Sequence, residues 1–229
     1  MACILLIDTA TSACSVAVSR DGVAEFTREA PAGTTQAAPL GTFIDEALSF
    51  IETRLLQLDA VAVSRGPGSY TGLRVGVSMA KGIAYGRKLP LIAISTLELM
   101  CVPILLREGL PEDALFCPMI DARRMEVYAG MYDRALHVVR NVAADVVTSD
   151  TYIPYMEKHP VYFFGDGADK CRDILTHPNA HLLEGIRPSA RWMFPLAEKA
   201  FFNQQFVDVA YFEPFYLKEF VASKPKKLL

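Results

Sequence analysis

Residues 65–86, which read RGPGSYTGLRVGVSMAKGIAYG, constrain the fold more than any other part of the chain. They follow an apolar run at residues 58–63, so the sequence predicts a buried strand, a tight turn and then a helix. Gly66 and Gly68 provide backbone conformations that are closed to other residues, and Pro67 between them has a fixed φ. We therefore expect a rigid Gly-Pro-Gly turn that joins a central strand to a helix.

The start of this helix is a candidate for a weak phosphate contact. Ser69 and Thr71 are both candidate N-caps, which places the first helical residue near Tyr70 and leaves several backbone N–H groups pointing out of the loop. The glycines do not fit the dinucleotide-binding pattern G-x-G-x-x-G, and no Gly-Lys-Ser/Thr follows as a phosphate-binding loop requires. We therefore expect Gly66, Gly68 and Ser69 to serve the turn first and any ligand second.

Small residues recur at every fourth position of the predicted helix. One set consists of Gly72, Gly76, Ala80 and Ala84, and a second set lies between them at Ser78, Gly82 and Gly86. Each glycine in a helix interior costs roughly 1 kcal/mol relative to alanine, so a close contact must offset that cost. Residues four apart share a helix face, and a face without side chains lets another backbone approach closely. The sequence leaves open whether that neighbour is the helix's own sheet or a partner subunit, and both can hold on different faces.

Composition limits the classes of protein that remain. With 229 residues and 52% hydrophobic content, the chain can bury a full core as one large or two small domains. With 23 basic and 26 acidic residues, the chain lacks the excess of positive charge that is typical of a protein that binds nucleic acid without a partner. The five cysteines form no C-x-x-C pair and fit buried thiols in a reducing compartment. No stretch approaches the ~18 apolar residues of a membrane span, and we expect a cytoplasmic protein.

The order of predicted elements indicates one plan used twice. The first half has strands at residues 3–7, 14–18 and 23–27, a helix from about residue 39, the strand and small-residue helix above, and a strand at 89–94. After a mixed segment at 101–113, the second half has strands at residues 114–120, 126–132, 136–142 and 161–164, and then a helix to about residue 175. Three strands, helix, strand, helix is the plan of a ribonuclease-H-like lobe.

We therefore expect an α/β fold in which two ribonuclease-H-like lobes, each a mixed sheet flanked by helices, are duplicated as in actin-like ATPases. The predicted boundaries are residues 1–100 for the first lobe, 101–222 for the second, and a basic tail at 223–229. An amphipathic helix at about residues 189–205 is a candidate to pack back on the first lobe.

Asp8 and Asp121 stand at equivalent strand ends in the two halves. In actin-like ATPases such acids face the cleft and help to hold a magnesium-bound nucleotide through water. The alternative is that each aspartate caps the adjoining turn with its own side chain, as aspartates commonly do. The sequence favours the second interpretation. A ribonuclease-H-like nuclease would in turn need several carboxylates that converge on metal ions, and Asp8 has no obvious carboxylate partner in its own lobe.

The sequence offers no residue set for catalysis or metal binding. No histidine occurs between Gly66 and Leu136, and Pro178 interrupts any helix that would place His177 and His181 on one face. No Ser/His/Asp or Cys/His combination is recognisable. We therefore predict no catalytic residues, no metal site and no cofactor of the chain's own.

Residues 65–86, together with IDTATSACSVAV at 7–18, resemble the TsaB (YeaZ) family, relatives of the glycoprotease-like TsaD proteins in the actin-like ATPase superfamily. DARRMEVY at 121–128 and FEPFYLKEF at 212–220 extend the match. The resemblance spans the whole chain and is strongest over residues 4–99. One departure is Thr-Thr-Gln at 34–36, where relatives often have a His-Ser-Gln-like helix start, and it makes catalysis by this chain less expected still.

The resemblance implies a non-catalytic scaffold subunit of the machinery that adds threonylcarbamoyl to the adenosine next to the anticodon of tRNA. The implied partners are a TsaD-like catalytic subunit and a TsaE-like ATPase, with a homodimer when the chain is alone and tRNA reached only through the complex. A weak ATP or ADP contact within the complex is also implied. The alternatives are a free-standing actin-like phosphotransferase or ATPase and a glycoprotease-like peptidase, for which the sequence lacks full phosphate loops or a nucleophile.

In the family, two helices of the first lobe form the partner interface, and the small-residue helix gives a physical reason for close approach here. By this resemblance the interface consists of Leu40, Phe43, Ile44 and Ala47 from the first helix and Gly72, Leu73, Gly76, Val77, Ala80 and Ile83 from the second.

Overall fold

The computed structural model describes residues 2–30, 37–123 and 125–218, and the structural statements below concern these residues. The predicted loop before the first helix, including the Thr-Thr-Gln sequence at 34–36, lies outside the described residues. The predicted basic tail at 223–229 also lies outside them.

The first lobe is built around one five-stranded sheet with two helices. Its strands are β1 (Cys3–Asp8), β2 (Ser15–Arg20), β3 (Val23–Glu29), β4 (Ala60–Gly66) and β5 (Leu91–Ser95), with α1 (Ala37–Thr53) before β4 and α2 (Tyr70–Arg87) after it. The order across the sheet is β3-β2-β1-β4-β5. The first three strands are antiparallel neighbours, whereas β1, β4 and β5 are parallel because connections that contain helices join them. The interior positions of β1 and β4 are buried, as their continuous apolar sequences predict.

A regular helix, α3 (Thr96–Leu105), occupies the start of the segment that the sequence predicts as a mixed passage between the lobes. Ser95 caps it, because its Oγ accepts a hydrogen bond from the N–H of Glu98 at 3.4 Å. The helix is buried against the second lobe in one apolar cluster of Leu97, Met100, Cys101, Ile104, Phe116, Ile120, Tyr132 and Phe164. The two sheets are therefore joined through a packed helix and not through a solvated linker.

The second lobe repeats the plan of the first. Its strands are β6 (Leu115–Asp121), β7 (Glu126–Tyr132), β8 (Val138–Val146), β9 (Val161–Phe164) and β10 (Ala180–Leu183), with short helices α4 (Ile153–Met156) and α5 (Asp166–Asp169) on either side of β9. Read from the same end, the order is β8-β7-β6-β9-β10, with the same strand directions as in the first lobe. The predicted α/β fold of duplicated ribonuclease-H-like lobes is confirmed.

Three predicted elements of the second lobe differ in detail. β8 begins at Val138 and not at residue 136, because the Oδ1 atom of Asp133 accepts hydrogen bonds from two N–H groups of the preceding turn. The helix predicted to reach residue 175 ends at Asp169, and tight turns follow it. Pro178 then restricts the backbone before it, and the chain enters β10, a strand that was not predicted.

The predicted helix at residues 189–205 is divided into a 3-10 turn at Ala190–Trp192 and α6 (Phe194–Phe202). Pro195 explains the division, since proline lacks the N–H that a continuous helix needs but fits the first turn of a new one. The buried face of this segment packs on the sheet of the first lobe in one cluster with Ile4, Leu6, Ile92, Ile94, Ala190, Met193, Ala197 and Ala200. None of the helices in the described ranges combines the length and apolar character that a membrane crossing needs.

Candidate functional site

The Gly-Pro-Gly turn between β4 and α2 lies at the centre of the candidate site. α2 begins at Tyr70, and Ser69 is its N-cap, with Oγ accepting a hydrogen bond from the N–H of Gly72 at 3.2 Å. The other candidate cap, Thr71, is an exposed residue of the first helical turn. The cap hydroxyl is therefore engaged with the helix backbone, which supports a structural role for Ser69.

The two glycines of the turn are required for different reasons. Gly66 has a φ of +109°, a conformation that side chains other than glycine rarely adopt. Gly68 does not have a positive φ, but a Cβ at this position would lie within 3.0 Å of the backbone carbonyl oxygen of Ala10. The N–H of Ser69 donates to the same oxygen at 2.7 Å. The turn is thus packed directly on the loop that follows β1.

Asp8 and Asp121 occupy equivalent places, and each accepts a hydrogen bond from the N–H two residues further on. The distances are 3.3 Å from Asp8 Oδ1 to the nitrogen of Ala10 and 2.9 Å from Asp121 Oδ1 to the nitrogen of Arg123. Both aspartates cap their turns, as the second interpretation of the sequence expects. Asp121 also forms an ion pair with Lys170.

The surroundings of the two aspartates differ strongly. The Asp8 side chain is fully buried, and no hydrogen-bond partner in the described ranges reaches its Oδ2 atom. Burial raises the pKa of Asp8 to about 6, although hydrogen bonds from Ser64 and Ala10 act in the opposite direction. Asp121 is exposed and lines the space between the lobes. The duplicated fold therefore uses one aspartate inside the first lobe and the other at the surface of a cleft.

A cleft of about 620 Å³ separates the two lobes. Its first-lobe wall is the loop after β1 and the start of α2, and its second-lobe wall contains Asp121, Glu126 and Asp166. The chain's own residues 215–218 also line it. These C-terminal residues were not predicted at the site, although they lie in the FEPFYLKEF sequence that carries part of the family resemblance. The cleft contains hydroxyls and ion pairs but no recognised catalytic combination.

The histidines and cysteines, the residue types that most often supply metal binding or nucleophilic chemistry, lie outside the cleft. Among the described residues, no group of three or more His, Cys, Asp and Glu could hold a metal ion. The four histidines do not line the cleft: His137 contacts Asp133, His159 lies near Asp113, His177 accepts from the N–H of Asn179, and His181 stacks on Tyr162. All five cysteines are free and buried.

The residues predicted at the partner interface lie mostly inside the first lobe. Eight of the ten are buried by the chain itself, namely Leu40, Ile44, Ala47, Gly72, Leu73, Gly76, Val77 and Ala80. Phe43 and Ile83 are half-buried and pack against the same core. The set remains a prediction, but most of these side chains pack inside the lobe, because helices that cover a sheet must turn their apolar stripe inward. At Gly76 an added Cβ would overlap the side chain of Thr9.

The second set of small residues lies on the opposite, outer face of α2. Ser78, Gly82 and Gly86 are exposed, and a Cβ added at either glycine would meet no atom of the described residues within 4 Å. Two larger residues stand beside them, Met79 at 36% exposure and Tyr85 at 80%. We call these five residues the outer face of α2. Periodicity reveals both small-residue sets, but only the position of the sheet decides which one is exposed.

Comparisons with known proteins agree with this architecture. Residues 34–180 match the family model described as TsaD, tRNA N6-adenosine threonylcarbamoyltransferase. The chain is 32% identical over 229 residues to the tRNA threonylcarbamoyladenosine biosynthesis protein TsaB of Escherichia coli (strain K12), covering 96% of both chains. It is 33% identical to the Bacillus subtilis (strain 168) protein of that name, over 71% of this chain and 70% of the relative.

Solved structures show the same relationship. YeaZ from Pseudomonas aeruginosa superimposes with a TM-score of 0.79 at 26% identity, covering 95% of this chain and all of that one. A Pseudomonas aeruginosa protein described as similar to peptidase YeaZ gives a TM-score of 0.81 at 25% identity over the same shares. The two matching lobes and the cleft between them define a protein with the actin-like ATPase fold. Within that class, the chain belongs to the TsaB (YeaZ) family.

Proposed function

We propose that the chain is the TsaB-type subunit of the system that makes threonylcarbamoyladenosine in tRNA, and that it acts by binding and stabilising a TsaD-like catalytic subunit. The observation that carries this proposal is the similarity to TsaB proteins over nearly the whole chain. The subunit works as a scaffold, and the chemistry belongs to its partner. A TsaE-like ATPase joins the complex, and the chain meets tRNA only as part of that complex.

Several features of the cleft support a scaffold role over an enzyme of its own. The Ser69 hydroxyl is engaged in capping α2, and the buried thiols are poor nucleophiles, since burial raises the pKa of Cys3 to about 11 and raises the pKa of Cys101 well above its usual range. Asp8, the acid that an ATPase would turn to the cleft, is enclosed in the first lobe. Any ATP or ADP contact is then weak and arises within the complex, in the cytoplasm.

The partner surface in this proposal is the outer face of α2. Its small residues allow a partner helix to approach the backbone closely, while Met79 and Tyr85 offer apolar area at either side. The same face joins two copies of the chain when the TsaD-like subunit is absent. The predicted pairing of α1 and α2 with a partner is kept, but the contact moves from the buried residues to the exposed ones.

Gly82→Leu tests this surface directly. The position is open, so the variant should fold with unchanged or raised thermal stability, whereas the leucine should wedge the partner helix away. Overpacking of a fitted site typically costs ~1 to 3 kcal/mol, which is about a tenfold to hundredfold loss of affinity. Affinity for the TsaD-like subunit is measured by calorimetry, and self-association by analytical ultracentrifugation. Lys158→Leu, an exposed position of the second lobe, is the matched control.

Two results would contradict the proposal at separate points. Unchanged affinity and self-association in folded Gly82→Leu would place the interface elsewhere. Threonylcarbamoyl transfer to tRNA or protein cleavage by the isolated chain would contradict the scaffold role, provided that the activity survives a second independent purification.

A further inference from the structure

The C-terminal segment after α6 runs back across the first lobe towards the cleft. The N–H of Val207 donates to the carbonyl oxygen of Leu91 at 2.9 Å, which places the segment at the outer edge of β5. Lys81 of α2 then donates from Nζ to two carbonyl oxygens of the segment, those of Ala210 and Phe212, both at 3.0 Å. These bonds direct the following residues to the Gly-Pro-Gly turn.

At the Gly-Pro-Gly turn, residues 213–218 pack closely against the first lobe. The N–H of Phe215 donates to the carbonyl oxygen of Arg65 at 2.7 Å. This packing requires that Gly66 has no side chain, because a Cβ there would lie 2.6 Å from the carbonyl oxygen of Phe215. The Tyr216 ring packs against the ring of Tyr70, the first residue of α2, with ring centroids 4.8 Å apart and the ring planes tilted by 41°. The segment thus packs beside the start of α2, where the sequence predicts a weak phosphate contact.

The same six residues also reach the second lobe. Lys218 forms an ion pair with Glu126, the first residue of β7. The backbone carbonyl of Glu126 in turn accepts a hydrogen bond from Lys170 Nζ at 2.6 Å, so that the ion pair is tied into the second-lobe wall of the cleft. Residues 213–218 therefore contact both lobes within a span of four positions, from Phe215 to Lys218.

We propose that residues 213–218 form a strap that lines one side of the cleft, packs on the first residue of α2 and holds the two lobes at a fixed separation. The contacts of the strap are weak enough for it to detach from the lobes. Phe215 remains 43% exposed, and the buried hydroxyl of Tyr216 has no hydrogen-bond partner among the described residues. By contrast, α6 is anchored through fully buried residues such as Ala197. A ligand that binds in the cleft beside α2 therefore either contacts the strap or displaces it.

Hydrogen exchange on the full-length protein tests whether the strap is seated. Tyr216→Ala removes the ring contact with Tyr70 and should speed exchange of the Phe215 amide at least about tenfold, because this amide is protected only while it bonds to Arg65. Tyr211→Ala is the matched control, since Tyr211 belongs to the same C-terminal segment but is 85% exposed. Lys218→Glu should also speed exchange, and combining it with Glu126→Lys should restore protection by reversing the ion pair.

Paired spin labels test whether the strap sets the lobe separation. Cysteines introduced at the exposed Ser49 and Lys158, one in each lobe, can be labelled selectively because the five native cysteines are buried. The distance distribution should widen in Tyr216→Ala and Lys218→Glu and stay narrow in Tyr211→Ala. Fast exchange of the Phe215 amide in the unmodified protein would overturn the strap, and so would an unchanged distance distribution in both strap variants.

Discussion

Replacing Asp8 by asparagine should stabilise the protein at pH 8 and remove a defined part of its pH dependence. The carboxyl group is fully buried, and its pKa is raised by burial from an ordinary 3.8 to about 6. At about 1.4 kcal/mol per pKa unit, the difference corresponds to about 3 kcal/mol of stability that is lost when Asp8 ionises in the folded state. Asparagine cannot ionise and keeps an oxygen that can accept from the N–H of Ala10.

The sign of the effect follows from proton binding. Between about pH 4 and pH 6 the folded state holds a proton on Asp8 that the unfolded chain has already released, so the free energy of unfolding falls as the pH rises. Above about pH 6 this contribution is constant at its least favourable value. The new amide N–H₂ group has no obvious acceptor at the place of Oδ2, and an unsatisfied buried polar group costs about 1–3 kcal/mol. We therefore expect a net gain of up to about 2 kcal/mol for Asp8→Asn at pH 8.

Urea unfolding at several pH values between 4 and 8 measures this effect. The unmodified protein should lose stability over the lower part of the range, whereas Asp8→Asn should show a flatter profile there and a higher midpoint at pH 8. Asp45→Asn, at an exposed position of α1, is the control and should keep the profile of the unmodified protein. If Asp8→Asn runs parallel to the unmodified protein from pH 4 to pH 6, or is less stable at pH 8, the argument from burial is refuted.

Four further substitutions separate the roles of α2 and its turn, each measured by thermal or urea unfolding. Gly76→Ala should lose about 1–3 kcal/mol, because its Cβ overlaps Thr9; full stability would mean that this close contact yields easily. Gly82→Ala should gain up to about 1 kcal/mol from helix propensity, and a loss would reveal an unseen neighbour. Ser69→Ala should cost about 1 kcal/mol through its cap. Gly68→Val should lower the melting temperature, whereas a fully stable variant would exclude a structural role for this glycine.

Much of the fold could be predicted because local signals and global order agree. The Gly-Pro-Gly turn and the apolar strands each indicate their own element, and the repeated order of elements indicates two lobes. The errors occur where a single residue overrides a longer pattern. Pro195 divides an apparently continuous amphipathic helix, and Asp133 delays the start of β8 by binding two turn N–H groups.

The candidate site was less predictable, because it depends on contacts between residues far apart in the chain. Nothing near Gly66 in the sequence indicates that its open side accommodates Phe215, almost 150 positions later. The two strand-end aspartates look equivalent in sequence. Asp8, however, is packed inside the first lobe away from water, and this burial raises its pKa. Local patterns specify the backbone at these places, but burial is a property of the assembled lobes.

The two small-residue sets of α2 have different energetic consequences. On the inner face, contact with the first lobe can offset the low helix propensity of Gly76, because its bare backbone allows Thr9 to pack closely. On the outer face, Gly82 and Gly86 have no neighbouring atom among the described residues at the place where a side chain would lie. Each of these glycines lowers helix stability by roughly 1 kcal/mol relative to alanine, and no contact within the described chain offsets this cost. Alanine at these positions would therefore make the isolated protein more stable. In the proposed complex, a partner backbone packs against this face and supplies the missing contact, so we predict that alanine at Gly82 stabilises the free chain while weakening its association.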